Sequence, residues 1–253
     1  MSIRRLLKSK RMWLSILAVV IVFLAAFVVY ILVSLPDVSD LKTHNPETTA
    51  LMKMRIKQAE DKGTEYAIKQ DWVSFEHVPQ LFKDTVRIAE DFGFYWHKGI
   101  DYEELKEALK QSIRERKFVR GASTITQQLA KNLYLSTEKS LIRKIKEYLI
   151  ARRMEKTLTK NRIFELYLNV IELGPGVFGI QTASQHFFEC SVSELTLEEM
   201  VRVTAVLPRP LRTDPRGNSP WLRWRCRWLL HKLRLYEYIS EEVYQETVEL
   251  FAE

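Results

Sequence analysis

Two segments of this 253-residue chain carry side chains that can do chemistry, and they lie about thirty residues apart. The first runs from Glu90 to Gly99 and places an acid pair before a row of aromatics and a histidine. The second, residues 121–132, carries hydroxyls, three carboxamides and a lysine near its end. Packing a core requires neither pattern, so together they predict a site that handles a sugar and a phosphate.

Glu90 is the candidate for proton transfer. It ends an apolar-patterned stretch and is followed by aromatic side chains between positions 92 and 96. Burial among aromatics disfavours a charged carboxylate and raises its pKa towards neutrality, which suits a general base or acid. A carboxylate that caps a helix or pairs with His97 is the structural alternative.

Two further polar clusters have both a functional and a structural interpretation. On a helix, Thr124, Gln128 and Lys131 would share one face, although Ser123 or Thr124 could simply be an N-cap. Arg143 and Glu147 are four residues apart with Lys144 beside them. They form either an exposed ion pair worth a few tenths of a kcal/mol, roughly, or a basic cluster that neutralises a diphosphate.

The N-terminal segment predicts a membrane anchor. Residues 12–35 carry no charge, and a helix needs roughly 20 apolar residues to cross a bilayer. Five cations and no acid lie in residues 1–11, which predicts a cytoplasmic N-terminus and a catalytic part outside. A cleaved signal peptide or a buried core helix would explain this stretch less well, because it is long, lacks a clear cleavage site and is apolar on every face.

The rest of the chain reads as mostly helical, with Thr196 predicted to be an N-cap. We expect a linker or membrane-proximal helical segment over residues 36–70 and the main domain over 71–253. The basic stretches 139–162 and 208–234 suit anionic lipid head groups or pyrophosphates. Nucleic acid is disfavoured as a partner because the domain is predicted to lie outside the cytoplasm. Two cysteines permit a disulfide without implying one.

Four motifs in order resemble the peptidoglycan glycosyltransferases, which include monofunctional transglycosylases and the glycosyltransferase domains of class A penicillin-binding proteins. The matching patterns are Glu-Asp-x-x-Phe-x-x-His-x-Gly, Gly-x-Ser-Thr-Ile-Thr-Gln-Gln-Leu-x-Lys-Asn, Arg-Lys-x-x-Glu and Lys-x-x-Ile-x-Glu-x-Tyr-Leu-Asn. The resemblance covers about His44 to Pro215 and has no transpeptidase part, so it is to the monofunctional form.

This resemblance implies a mostly α-helical, lysozyme-like, two-lobed domain that polymerises lipid II. A growing glycan on undecaprenyl diphosphate would pass, with inversion, to the 4-hydroxyl of the N-acetylglucosamine of lipid II, which forms a β-1,4 bond. By resemblance Glu90 is the base, and Glu147 is a second catalytic carboxylate that orients the leaving group or a bound divalent ion. Cell-wall synthesis or division proteins are expected partners, and a magnesium or manganese ion stays open as a cofactor.

The family's substrate-binding positions carry over to twelve residues of this chain. They are Asp91, Phe94, His97, Gly99, Ser123, Thr124, Gln127, Gln128, Lys131, Asn132, Arg143 and Lys144. A hydrophobic lobe that dips into the bilayer is expected either between positions 98 and 117 or before position 71. The resemblance also places the enzyme in the bacterial cytoplasmic (inner) membrane as a single-pass protein.

Some positions depart from the family pattern or lie outside it. Arg202 occupies a helix position where small apolar residues are usual, and Trp221, Trp224 and Trp228 share one helix face beyond the resemblance. These tryptophans either pack against the domain or contact the membrane interface. The sequence alone leaves two rival functions open. A glycan-cleaving enzyme would not need the diphosphate-binding cations, and a non-catalytic scaffold would not need both Glu90 and Glu147.

Overall fold

The computed structural model describes residues 3–115, 123–135 and 140–252. It divides into two compact units, Met1–Asp37 and Val38–Glu253. The chain is mostly α-helical, which confirms the prediction. The helices are α1 (Ile3–Val33), α2 (Ala50–Glu60), α3 (Gln80–Glu90), α4 (Tyr102–Glu115), α5 (Ile125–Tyr134), α6 (Leu141–Thr157), α7 (Lys160–Val170), α8 (Ile180–Phe188), α9 (Leu197–Ala205), α10 (Pro220–Leu235) and α11 (Glu241–Glu249). The strands are β1 (Lys69–Gln70), β2 (Glu172–Gly174) and β3 (Val177–Phe178).

The smaller unit consists largely of α1, whose apolar part is long enough to cross a bilayer. Met12–Val33 spans 22 residues with a mean hydropathy of 3.3. The helix ends three residues before Pro36, as expected because the residue preceding a proline is disfavoured in helical geometry. The structure is thus compatible with a single membrane anchor at this end of the chain.

The core of the larger unit forms around α5, which packs against α2, α6 and α7. Its apolar face places Ile125 and Leu129 in the interior with no exposed surface. A second group of helices, α3, α9 and α10, packs beside it. Because α5 and α3 carry the residues of the two chemical segments, the tight packing around them fixes those side chains in space.

A small sheet ties the N-terminal part of this unit to its centre. Strand β3 pairs in parallel with β1 and antiparallel with β2. The turn between β2 and β3 requires glycine at position 176, where φ is +75° and a Cβ atom would lie 2.3 Å from the carbonyl oxygen of Ala67. From α2, Arg55 donates to the buried carboxylate of Glu172 at 2.6 Å. Residues 38–70 therefore belong to the larger compact unit.

Helix starts follow the capping chemistry of the sequence. Thr196 begins α9 with a reciprocal capping box to Glu199, which confirms the prediction. Thr124 begins α5 in the same way with Gln127, so of the two candidate caps the structure selects Thr124. Arg202, the unusual helix residue, donates to the carbonyl oxygens of Pro215 and Gly217 at 3.0 and 2.9 Å. It secures the loop that precedes α10.

Candidate active site

Glu90 is the last residue of α3 and lies partly buried in the wall of a cleft. Burial is the largest influence on its carboxyl group and raises its pKa above the ordinary value of 4.5. A hydrogen bond from Gln128 and the charges of Arg225 and Lys131 act in the opposite direction. The result is a carboxylate that accepts a proton more readily than an exposed one, as general base catalysis requires.

The side chain of Gln128 is held in one orientation between Glu90 and Tyr167. Its Nε2 donates to Glu90 Oε2 at 3.0 Å, and its Oε1 accepts from the hydroxyl of Tyr167 at 3.4 Å. Burial raises the pKa of Tyr167 well above its ordinary value, so this hydroxyl keeps its proton and can only donate to the amide oxygen. Tyr167 therefore fixes the direction of the hydrogen bond that reaches Glu90.

The neighbouring acid, Asp91, holds the two chemical segments together. One carboxylate oxygen accepts from His97 Nε2 at 2.8 Å, and the other accepts from the backbone N–H of Ile125 at 2.9 Å. The second contact satisfies a free N–H in the first turn of α5, where a negative charge is also favoured by the helix dipole. The carboxylate that pairs with His97 is thus Asp91, and Glu90 stays available to the cleft.

Several residues expected to bind substrate also have structural contacts in this region. Thr124 donates to the carbonyl oxygen of Gly99 at 2.7 Å, and Gln127 accepts from the backbone of Thr124 at 3.1 Å. Phe94 is fully buried, with its ring 5.3 Å from that of Phe164. Asn132 is likewise buried, on α5. These contacts help to position the site. That the same residues also bind substrate stays a prediction.

The Arg-Lys-x-x-Glu motif forms a partly buried cation cluster on α6. Glu147 is only 3 % exposed and accepts from Arg143 Nη1 at 2.7 Å and from Lys144 Nζ. This burial excludes the exposed ion pair that the sequence left open. Lys144 also donates to Ser123 Oγ at 3.0 Å, which joins α6 to the start of the α5 segment. Among the described residues, the buried Nε of Arg143 finds no hydrogen-bond partner.

Lys131 links the two carboxylates electrostatically. It lies on α5, and both Glu147 and Glu90 act on its charge. Burial has the largest effect and lowers its pKa, and the positive charges of Arg143 and Lys144 lower it further. Three cations therefore gather near Glu147, and they carry more positive charge than Glu147 alone can neutralise. Such an excess suits an anionic group with several oxygens.

Glu90 also lines a cavity of about 790 Å³, and residues of α10 form part of the same lining. Five aromatic residues that line it form what we call the aromatic wall: Phe92, Trp96, Trp224, Trp228 and Tyr236. Trp221 lines the same cavity, as do Ser123, Thr124 and Gln128. The tryptophans of α10 were expected either to pack against the domain or to contact the membrane interface. Trp221 and Trp228 do pack against the domain, with Arg209 and Arg225 over their rings, and all three tryptophans line the cavity that Glu90 also lines.

The described residues do not fit a resident metal ion. One group of three, Asp91, His97 and Asp101, has side-chain ligand atoms within 4.8 Å of one another. Both ring nitrogens of His97 are already used, because Nε2 bonds to Asp91 and Nδ1 accepts from the backbone N–H of Gly99 at 3.1 Å. Glu147 is held between two cations, which would repel a divalent ion.

The sequence alone did not predict how residues of the fourth motif, positions 160–169, position the site. Tyr167 orients Gln128, and Asn169 bridges to the backbone of Val73, with its Oδ1 accepting at 2.8 Å and its Nδ2 donating at 2.9 Å. Glu155 on α6 accepts from Thr126 on α5 at 2.5 Å, and no motif includes it. These are long-range contacts, so helical periodicity could mark the residues as buried but could not name their partners.

Comparison with known proteins places this arrangement in a family. The family model described as Transglycosylase matches residues 56–234. A protein of Herminiimonas arsenicoxydans is 34 % identical over 90 % of this chain and 97 % of its own length. One of Alcanivorax borkumensis is 39 % identical over 79 % of each chain. Both carry the name biosynthetic peptidoglycan transglycosylase. With the mostly helical, lysozyme-like fold that the motifs implied, the chain belongs to the transglycosylase family.

Proposed function

We propose that this enzyme polymerises peptidoglycan glycan strands from lipid II. The donor is a growing glycan on undecaprenyl diphosphate, and the acceptor is the 4-hydroxyl of the N-acetylglucosamine of lipid II. The observation that carries the proposal is the position of Glu90, a partly buried carboxylate that lines an open cavity and is influenced by the charge of Lys131, which is grouped with Arg143 and Lys144. A base beside a diphosphate-binding cluster is what this transfer needs.

The transfer would use both the cavity and the cation cluster. The acceptor hydroxyl attacks the anomeric carbon of the donor and gives its proton to Glu90 as the new β-1,4 bond forms. The bond from that carbon to the diphosphate breaks, and the diphosphate leaves with the electron pair. Because the attack comes from the face opposite the leaving group, the configuration inverts, as in inverting glycosidases that use water as the nucleophile.

Lys131, Arg143 and Lys144 receive the leaving diphosphate. Their charges stabilise the oxygens that become more negative as the bond breaks, an electrostatic effect of the kind that contributes most to many enzymatic rate enhancements. Glu147 keeps Arg143 and Lys144 in place through the hydrogen bonds that it accepts. The same cations favour a polymerase over a glycan-cleaving enzyme, whose leaving group is an uncharged sugar.

The enzyme is proposed to act at the outer face of the bacterial cytoplasmic membrane, with α1 as a single-pass anchor and the N-terminus in the cytoplasm. Within the larger unit, α4 and the start of α6 expose a second apolar surface. Leu109, Ile113 and Leu141 are 60, 69 and 84 % exposed. Of the two locations expected for a membrane-dipping lobe, this surface favours residues 98–117. Confinement of enzyme and prenyl-linked substrates to one surface raises their effective concentration.

The direct test is to incubate the full-length protein with labelled lipid II in detergent and to separate the products on a gel. We expect a ladder of lysozyme-sensitive chains from the wild type. Glu90→Gln should lower the rate by about 10²–10⁴-fold, because it removes the proton acceptor and little else. Glu76→Gln is a matched control, since Glu76 is exposed and does not line the cavity.

Three other outcomes would contradict the proposal. Near-normal activity of Glu90→Gln would remove Glu90 as the base. Binding of lipid II without product would favour a scaffold that works with cell-wall synthesis or division proteins. Shortening of preformed glycan would identify a cleaving enzyme.

A further inference from the structure

The aromatic wall has two members whose rings are left uncovered. The ring of Phe92 stacks on Tyr236 with centroids 4.4 Å apart, and Arg225 lies 4.3 Å from the centroid of Trp228. Trp96 and Trp224, in contrast, are 75 and 52 % exposed. Trp96 meets only the edge of Phe92, at 5.3 Å and 82°. The cavity therefore has two large indole surfaces available to a ligand.

We propose that Trp96 and Trp224 form a subsite for the pyranose rings of the acceptor. This assignment rests on the proposed function, in which the acceptor sugar is the second substrate. The C–H groups on one face of a pyranose ring carry partial positive charge, and the face of an indole is electron-rich, so the two stack favourably. The exposed position of both rings leaves these faces free for such contact.

The polar members of the cavity lining favour a sugar over a lipid chain. Asp101, Glu104, Arg225 and Lys232 share the cavity with the aromatic wall. A prenyl chain laid against them would remove water from these charged groups and give no hydrogen bonds in return, which is costly. A sugar presents hydroxyl and amide groups around its edge and can hydrogen-bond to charged neighbours while its face lies on a ring. Among the described residues, the buried Nε of Arg225 has no hydrogen-bond partner.

The position relative to Glu90 assigns this subsite to the acceptor. Lys131, Arg143 and Lys144 are absent from the cavity lining, within the part of the chain that the structure describes. An inverting displacement puts the nucleophile and the leaving group on opposite sides of the reacting carbon, and the base must face the nucleophile. Glu90 lines this cavity and, among the described residues, the three cations that would bind the diphosphate do not, so the incoming sugar is assigned to the cavity.

The binding test uses chitotetraose, a soluble β-1,4-linked tetramer of N-acetylglucosamine, titrated calorimetrically into the full-length protein in detergent. We expect Trp224→Ala to weaken binding by about fivefold or more, with Trp224→Phe recovering part of the loss because it keeps an aromatic face. Leu235→Ala is the matched control, because Leu235 lies on the same helix, is 54 % exposed and does not line the cavity. Equal affinities for Trp224→Ala and Leu235→Ala would overturn the proposal.

A kinetic test separates the subsite from the proposed function. With lipid II as substrate, Trp224→Ala should raise KM by a larger factor than it lowers kcat, with partial recovery in Trp224→Phe. Active wild type with unchanged KM in Trp224→Ala would overturn the subsite and leave the polymerase intact. Inactive wild type that still binds chitotetraose through Trp224 would support the subsite and contradict the polymerase.

Discussion

The two sides of the cleft differ in chemistry and in how they are built. On the side of α5 and α6, charged groups hold one another through short contacts, as Arg143 and Lys144 do with Glu147. On the side of α10, aromatic rings pack against one another and two indoles stay exposed. Glu90 responds to both groups, because the charges of Lys131 and of Arg225 each lower its pKa. In the proposed reaction, Glu90 is therefore the residue at which the two groups act together.

The largest difference expected between two variants is the difference in stability between Glu90→Gln and Glu147→Gln. Both should lose at least about 10²-fold in activity. Their stabilities should diverge. Glu147→Gln leaves Arg143 and Lys144 without their carboxylate, which should lower the free energy of unfolding by about 1–3 kcal/mol.

Glu90→Gln should not be destabilising near neutral pH. Burial raises the pKa of Glu90, so the ionised form is less favourable in the folded than in the unfolded protein. The protonated form of Glu90 therefore stabilises the folded protein fully at pH values below the pKa of Glu90 in the unfolded chain. This stabilisation is lost as the pH rises through the higher pKa of Glu90 in the folded protein. Thermal melts of both variants at pH 7 test this contrast, and a lower melting temperature for Glu90→Gln than for the wild type would contradict it.

A pH–rate profile tests whether both sides of the cleft act on Glu90. Activity should fall at low pH as Glu90 gains a proton, at a pH above the ordinary 4.5 of a glutamate. Arg225→Gln removes a positive charge that lowers this pKa, so the acid limb should move to higher pH. An acid limb that stays in place would show that the α10 side does not influence the base.

At the other end of the profile, activity should fall as Lys131 loses its proton, at a pH below the 10.5 of an exposed lysine because burial lowers its pKa. Lys131→Arg keeps the charge at higher pH and should move the alkaline limb upward. If the alkaline limb lies at the same pH in the wild type and in Lys131→Arg, a group other than Lys131 titrates in that range.

The smallest effect expected is that of Tyr167→Phe. This change removes only the hydroxyl that donates to Gln128 Oε1, one hydrogen bond worth about 0.5–1.5 kcal/mol, so kcat should fall by about two- to tenfold. KM should change little, because the hydroxyl faces Gln128. A steady-state assay with lipid II checks this, and a loss as large as that of Glu90→Gln would mean that Tyr167 has a direct catalytic role.

The sequence predicted the motif side of the cleft far better than the α10 side. Helical periodicity and capping patterns are local, so the helical character and the cap at Thr196 could be predicted and are confirmed. The resemblance supplied Glu90, Glu147 and the cations, but their catalytic and binding roles stay predictions. The position of Trp224 depends on how α10 packs against α3 and α9, which are over a hundred and about twenty residues away in sequence. The spacing of the three tryptophans shows that they share one side of a helix, but it does not show which part of the protein that side contacts.

The orientation of Gln128 also determines how the proton leaves Glu90 after each transfer. Within the described part of the chain, the side-chain hydrogen bond that Glu90 accepts comes from Gln128, whose amide cannot take up a proton at ordinary pH. Tyr167 beyond it keeps its own proton, so the Gln128–Tyr167 pair does not relay a proton away from Glu90. In the proposed reaction, the proton on Glu90 would leave through the cavity that Glu90 lines. Each round of the proposed glycan extension would then end with solvent returning to Glu90, and the next acceptor would be activated only after that exchange.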